Sequence, residues 1–350
     1  MGIQQRFLDF NSKIKMVDSI KSELRQKRDI LINKIRTAGE LPGFEEINLG
    51  SYAMYLGVQP LDKEYDIDVG LRFNINKKDF EPIEIKEKIH SLLKNHTEYG
   101  AIIKNPCVTV SYKKDGEIAY HVDLVVYSYE DKDNHESQMY LARGKKRDSE
   151  DTYWEKTDPL GLIDYINGTV EDGDDREQFR RIVRYLKRWK NLKYSSPGNG
   201  EPPSIGLTLC VLNNFSPSKT YSVLEEEYKY DDLTALINIC NKIQKLFYIV
   251  DSSDLENILY RLKCNLPYNL NFESNTDVFR KMTDIQMTNF KRKLENLINK
   301  LEEAKAEPDE IEQCKILNKV FGEDFDIPEV NTISQKQMNY IPSSSASGCK

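Results

Sequence analysis

The sequence predicts an α+β protein: a helix, then a sheet, then a helical region. Three observations carry this. Phe7, Phe10, Ile14, Val17, Leu24, Leu31 and Ile35 recur on a three-four spacing with no Pro or Gly between them. Short strand-like segments follow the Gly39, Pro42, Gly43 interruption. From about Asp158 onward, apolar residues return to helical spacing.

In order along the chain, residues 5–36 read as one long amphipathic helix that packs on a core. Strands are expected at Ile47–Leu49, Tyr65–Phe73, Ala101–Tyr112 and Ile118–Tyr127, with a short helical stretch at Ser51–Tyr55 and a helix at Glu84–Lys94. Lys114-Asp115-Gly116 predicts a hairpin turn between the last two strands. Phe179, Ile182, Val183, Leu186 and Trp189 form one helical stripe; Phe290, Leu294, Leu297, Ile298, Leu301 and Ala304 form another. Residues 195–203 read as a Pro/Gly-rich loop, and residues 331–350 as a tail by composition.

Composition narrows the function classes. The chain has 350 residues, 50 Lys plus Arg against 57 Asp plus Glu, and a formal net charge of −7. That balance argues against a general nucleic-acid coat, which needs a basic footprint. Hydrophobic residues at 39% suffice for packed cores, and no apolar run approaches the ~20 residues of a membrane span. Residues 1–30 lack a signal-peptide apolar stretch, and Arg6 stands where a myristoylation signal needs Ser or Thr. Cys107, Cys210, Cys240, Cys264, Cys314 and Cys349 include no C-x-x-C pair, so reduced thiols in a cytoplasmic protein are expected.

The chemistry-bearing stretch is Gly50-Ser51 followed by Tyr65-Asp-Ile-Asp-Val-Gly. The strand period of two puts Asp66 and Asp68 on one face and turns Ile67, Val69 and Leu71 to the other. Two carboxylates so placed repel each other unless a cation lies between them, and their oxygens suit Mg²⁺. Downstream, Tyr120, Val122, Leu124 and Val126 form an apolar face, leaving His121 and Asp123 on the opposite one. Asp123 is the natural third ligand, because a mid-strand carboxylate is costly unless paired or metal-bound. Gly50 lets a phosphate approach the backbone, and Ser51 donates at a helix start, although the same pair also reads as an ordinary cap. His121 reads as a polar neighbour of the site. The cations of residues 178–193 read as a solvated face, except that Lys187 borders the apolar stripe.

Taken together, Gly50-Ser51-Tyr52, Tyr65-Asp-Ile-Asp-Val-Gly, His121-Val-Asp123, Ile182-Val-Arg-Tyr-Leu-Lys-Arg-Trp189, Pro203-Ser-Ile-Gly-Leu207, Asp277-Val-Phe-Arg-Lys-Met282 and Phe321-Gly-Glu-Asp-Phe325 carry a family resemblance. The chain resembles the DNA polymerase β-like nucleotidyltransferases. Within them it is similar to the bacterial cGAS/DncV-like enzymes of the SMODS type. The resemblance implies a catalytic sheet lobe with a long N-terminal helix over residues 1–157, a helical nucleotide-binding lobe over 158–330 and a flexible tail over 331–350, with the active site in the cleft between the lobes. It implies Asp66, Asp68 and Asp123 as catalytic and metal residues. It implies Gly50, Ser51, Lys187 and Ser204 as contacts to the donor triphosphate.

The implied activity is a cytoplasmic, Mg²⁺-dependent synthase, with Mn²⁺ as a substitute. It would join ribonucleoside triphosphates, ATP among them, into a cyclic di- or trinucleotide for antiphage (CBASS) signalling. Implied partners are a downstream cyclic-nucleotide effector and a protein that docks the C-terminal tail; no membrane and no constitutive nucleic acid are expected. The alternatives are a nucleotidyltransferase acting on RNA, protein or a small molecule, and a nucleotide-binding regulator.

Overall fold

The computed structural model describes residues 2–147, 149–194, 200–254, 257–267 and 276–329. The chain opens with α1 (Ile3–Ile14) and α2 (Asp18–Ala38), then β1 (Phe44–Asn48), α3 (Gly50–Ala53), β2 (Tyr65–Asn76) and α4 (Pro82–Leu93). Next come β3 (Ala101–Ile103), β4 (Val108–Lys114), β5 (Glu117–Tyr129), β6 (Met139–Ala142) and β7 (Trp154–Thr157). These seven strands form one sheet in the order β1-β2-β5-β4-β3, with β6 continuing from β5 and β7 from β6. β2 and β5 run parallel, whereas every other named pair in that sheet is antiparallel.

The remainder is mainly helical: α5 (Pro159–Gly168), α6 (Asp174–Lys193), α7 (Ser204–Asn214), α8 (Asp232–Gln244), α9 (Asp284–Ala306) and α10 (Glu310–Phe321). Two small antiparallel ribbons interrupt it, β8 (Lys219–Ser222) with β9 (Glu227–Tyr230), and β10 (Tyr248–Asp251) with β11 (Leu259–Arg261). The α+β architecture agrees with the sequence reading. The expected tail at 331–350 lies outside the described residues, as does 195–199 of the expected loop.

Two cores follow from the apolar periodicities. Ile67, Val69, Leu71 and Phe73 of β2 and Val122, Leu124 and Val126 of β5 pack against Leu24, Leu31 and Ile35 of α2 and Ile85 and Ile89 of α4. The second core joins α6 to α10 and also takes in Phe7, Phe10 and Ile14 of α1. Phe10 stacks on Tyr185 with ring centroids 5.3 Å apart.

The expected single N-terminal helix is therefore corrected to two helices that serve different cores. The break at 15–17 contains no Pro or Gly. Backbone bonds from a distant segment explain it: Gln59 N–H donates to the Ile14 carbonyl (2.7 Å) and Met16 N–H to the Gly57 carbonyl (3.4 Å). Likewise, the expected strand at 101–112 is two strands, β3 and β4, with residues 104–107 turning between them. The hairpin at 114–116 is as expected, with Asp115 and Gly116 at φ 55° and 91°, the left-handed region its tight turn requires.

A buried polar knot fastens the helical layer. Asp232, at the start of α8, is fully buried. Its carboxylate accepts from Arg181 Nε (2.6 Å) and Gln178 Nε2 (3.1 Å), and Tyr185 Oη lies 3.0 Å away. Removing one partner of such a buried pair strands the other's charge away from water. Asp232→Ala should lower stability by about 3 kcal/mol or more in urea unfolding; a loss below ~1 kcal/mol would show that the knot adds little.

Candidate active site

The parallel register of β2 and β5 builds the site. Asp66 stands opposite His121, and Asp68 stands opposite Asp123. Adjacent strands lie about 4.8 Å apart, so the Asp68 and Asp123 side chains leave the same face as near neighbours. The alternation predicted from sequence holds: Ile67, Val69, Val122 and Leu124 are buried in the sheet core, while Asp66 is exposed and Asp68 and Asp123 are half-buried on the other face.

Repulsion shows in the electrostatics. Asp68 has its pKa raised to about 6, first by burial, then by the charges of Asp123 and Asp66. Asp66 is raised as well, through desolvation and Asp123, while His121 opposes the rise. The Asp123 carboxylate accepts from the Thr109 hydroxyl across the β4–β5 pair. Ser111 Oγ lies 2.9 Å from His121 Nδ1, and His121 Nε2 lies 3.2 Å from Glu64 Oε2. Thr109 and Ser111 carry no signature in the sequence, because hydroxyls on a strand show their role only once the register is known, and Glu64, just before β2, is one acid among many until His121 is placed beside it.

Gly50 and Ser51 start α3 directly above Asp68. Gly50 has φ +59°, and a Cβ placed on it would lie 2.0 Å from Asp68 Oδ2. The Leu49 amide donates to the Asp68 carbonyl at 3.1 Å. Only glycine accommodates both the left-handed backbone and that approach. With only four helical residues, α3 is too short to fix itself. Asn167 of α5 donates to the Ala53 carbonyl (3.1 Å) and Arg184 of α6 to the Tyr55 carbonyl (2.9 Å).

Of the two residues expected from the helical region, Ser204 opens α7 and Lys187 sits within α6. Lys187 is 7% exposed and donates to the Leu56 carbonyl at 3.0 Å. Its pKa is lowered to about 7 by burial, then by the charges of Lys190 and Arg184. Lys190, not singled out in the sequence, is the cation that reaches Ser204, with Nζ 3.2 Å from Oγ; it also pairs with Glu201 at 3.0 Å. The basic face expected to be solvated is corrected. Arg184, Lys187, Arg188 and Lys190 are buried, because carbonyls, a hydroxyl and carboxylates receive their charge.

The donor set of Asp66, Asp68 and Asp123 fits a hard divalent cation. All donors are oxygens, and burial, with a smaller contribution from neighbouring carboxylate charge, raises two of the acids. Among the described residues, no three His, Cys, Asp or Glu side chains close around one point as a ready cage. A Mg²⁺ ion here would complete its shell with water and phosphate oxygens. A cavity of about 490 Å³, lined by Lys15, Arg25, Tyr52 and Arg180 among others, includes none of the three carboxylates, so the chemistry is assigned to the sheet face.

The family described as "Cyclic GMP-AMP synthase DncV-like, nucleotidyltransferase domain" matches residues 46–127, the stretch from β1 to β5 that holds Gly50, Ser51 and all three acids. A cyclic GMP-AMP synthase from Escherichia albertii is 23% identical over 221 residues, 60% of this chain and 44% of the relative. The match thus spans less than half of that relative's length. The CD-NTase CdnG of Bradyrhizobium diazoefficiens, solved with GTP, superposes with a TM-score of 0.68 at 14% identity over 91% of this chain and 96% of its own. Vibrio cholerae DncV, a cyclic AMP-GMP synthase, superposes with a TM-score of 0.66 at 16% identity over 90% and 93%. The structural likeness shows a shared fold, and the stretch that carries Gly50, Ser51 and the three acids is similar to the nucleotidyltransferase domain of the DncV-like cyclic GMP-AMP synthases.

Proposed function

We propose that this protein is a cyclic-oligonucleotide synthase that joins ribonucleoside triphosphates and releases pyrophosphate. The observation that carries this reading is the register of Asp66 and Asp68 against Asp123, with the Gly50–Ser51 helix start seated on Asp68. That the relatives above include synthases of cyclic nucleotides, solved with GTP among other nucleotides, supports it.

Asp66, Asp68 and Asp123 would hold Mg²⁺, or Mn²⁺ in its place. When bound, the ions would lower the pKa of the acceptor hydroxyl and neutralise charge on the transferring phosphoryl group. The Gly50–Ser51 amides and the Ser51 hydroxyl would cradle the donor phosphates, with Gly50 allowing close backbone approach. Lys190 and Ser204 would clamp the triphosphate from the helical side, and Lys187 would support them by fixing the turn after α3. Thr109 would orient the Asp123 carboxylate. Positioning and charge stabilisation then supply the catalysis.

The same reading places the protein in the cytoplasm, in CBASS antiphage signalling, upstream of an effector that binds the cyclic product. A partner protein would dock residues 331–350.

Incubation with the four ribonucleoside triphosphates and Mg²⁺ or Mn²⁺, followed by mass spectrometry, tests the activity. A cyclic product from the wild type, absent from Asp66→Asn/Asp68→Asn, is expected; single-acid variants should lose at least ~10³-fold in rate. Extension of RNA with no cyclic product would favour the alternative transferase.

Gly50→Ala should abolish most turnover, because its Cβ meets Asp68 Oδ2 at 2.0 Å in a backbone conformation that disfavours it. Lys190→Met should raise the triphosphate KM roughly tenfold or more, the loss of one charge-assisted hydrogen bond. Lys187→Met should chiefly lower Tm; equal KM effects from the two would undo this division of labour.

A pH dependence follows from Asp68. Its native pKa, about 6, exceeds the unfolded value, so the native state holds the proton more tightly. The metal-free protein therefore loses stability from this group as pH rises from about 4 to about 6. Asp68→Asn should be more stable than wild type by ~1–3 kcal/mol at pH 7. That advantage should vanish below about pH 4. Denaturant melts at both pH values check it, and a destabilised Asp68→Asn at pH 7 would contradict it.

A further inference from the structure

Lys86 is a lysine with no exposure to solvent, on the helix α4 that covers the sheet. Its ammonium lies within reach of four backbone carbonyls: Lys104 (2.9 Å), Asn105 (2.7 Å), Gly144 (2.5 Å) and Ala142 (3.4 Å). An ammonium has three hydrogens, so Ala142 is the weak member of the set. Burial lowers the Lys86 pKa to about 8, which still leaves it mostly charged at pH 7. A buried charge of this kind persists only where its hydrogen bonds are satisfied. Here they cross-link the turn between β3 and β4 to the segment after β6.

The β3–β4 turn is therefore rigid, although it lies at the rim of the carboxylate site. Lys104 N–H also donates to the Cys107 carbonyl at 2.8 Å. The consequence is the placement of the Lys104 side chain, whose Nζ stands 4.0 Å from Asp123 Oδ1 and is about half exposed. It approaches the carboxylate site at Asp123, from a backbone position that Lys86 holds through the Lys104 carbonyl.

We propose that Lys104 is a resident counter-ion of the carboxylate site, held at its rim by Lys86 and displaced when a divalent cation binds. The inference rests on the reading of Asp66, Asp68 and Asp123 as the metal site. Its functional effect is to weaken binding of a free cation to the nucleotide-free protein. A metal that arrives with a triphosphate brings further oxygen ligands and phosphate charge for Lys104 to move toward. Lys104 and Lys86 are in this sense positioning residues for metal loading.

The test is Mn²⁺ binding to the nucleotide-free full-length protein, read from the electron paramagnetic resonance signal of free Mn²⁺. Lys104→Met should bind Mn²⁺ about fivefold more tightly than wild type, the size of one screened contact at this distance. Lys104→Arg should match wild type, because it restores the charge. A purely structural role would give weaker binding or no change in Lys104→Met. Either result, with Asp66→Asn/Asp68→Asn showing that the acids bind Mn²⁺, overturns the inference. Equal Mn²⁺ binding by wild type and the double Asp variant overturns the metal reading itself. Lys86→Met should shift Mn²⁺ affinity toward that of Lys104→Met and lower Tm; if it fails to fold, the Lys104 pair decides.

Discussion

Two strands about fifty residues apart in sequence run side by side in parallel, and that pairing sets Asp68 against Asp123. A one-residue slip would turn Asp123 into the apolar core and bring Val122 to the open face. The register is secured from behind. Ile67, Val69 and Leu71 on β2 and Val122, Leu124 and Val126 on β5 pack together under α2 and α4. Hydrophobic burial on one side of the sheet thus stabilises an arrangement on the other that mutual repulsion opposes.

The repulsion is met by polar groups from several directions. Thr109 donates to Asp123, His121 eases the charge of Asp66 and is itself held by Ser111 and Glu64, and Lys104 approaches from the rim. Gly50 brings backbone rather than side chain against Asp68. The burial and like charge that raise the pKa of Asp68 are what a bound cation would offset, so a residue that costs stability in the free protein is also prepared for a ligand.

The acids were legible because strand alternation is a strong local rule: Tyr65-Asp-Ile-Asp-Val-Gly and His121-Val-Asp-Leu-Val-Val each announce two faces. Gly50-Ser51 was legible because a glycine before a helix start implies a backbone need. Other features are set by partners distant in sequence. The break at 15–17 has no local cause and arises from carbonyl and amide contacts with 57–59. Lys187 was legible at the border of the apolar stripe of α6, whereas the position of the α7 start, which brings Lys190 to Ser204, is not written in the local sequence. The basic face of α6 looked solvated because carbonyls, the groups that receive Arg184 and Lys187, leave no trace in a sequence. The four-residue strands β6 and β7 were too short for alternation to reveal.

The turn after α3 is gripped from two sides. Arg184 and Lys187 of α6 take the carbonyls of Tyr55 and Leu56, while Gly57 and Gln59 bond to the backbone around the break between α1 and α2. Tyr55 itself sits at φ 58°, a conformation an unrestrained tyrosine avoids. Sheet layer and helical layer are thereby riveted along one edge. A fixed edge makes that turn the pivot of any breathing between the layers.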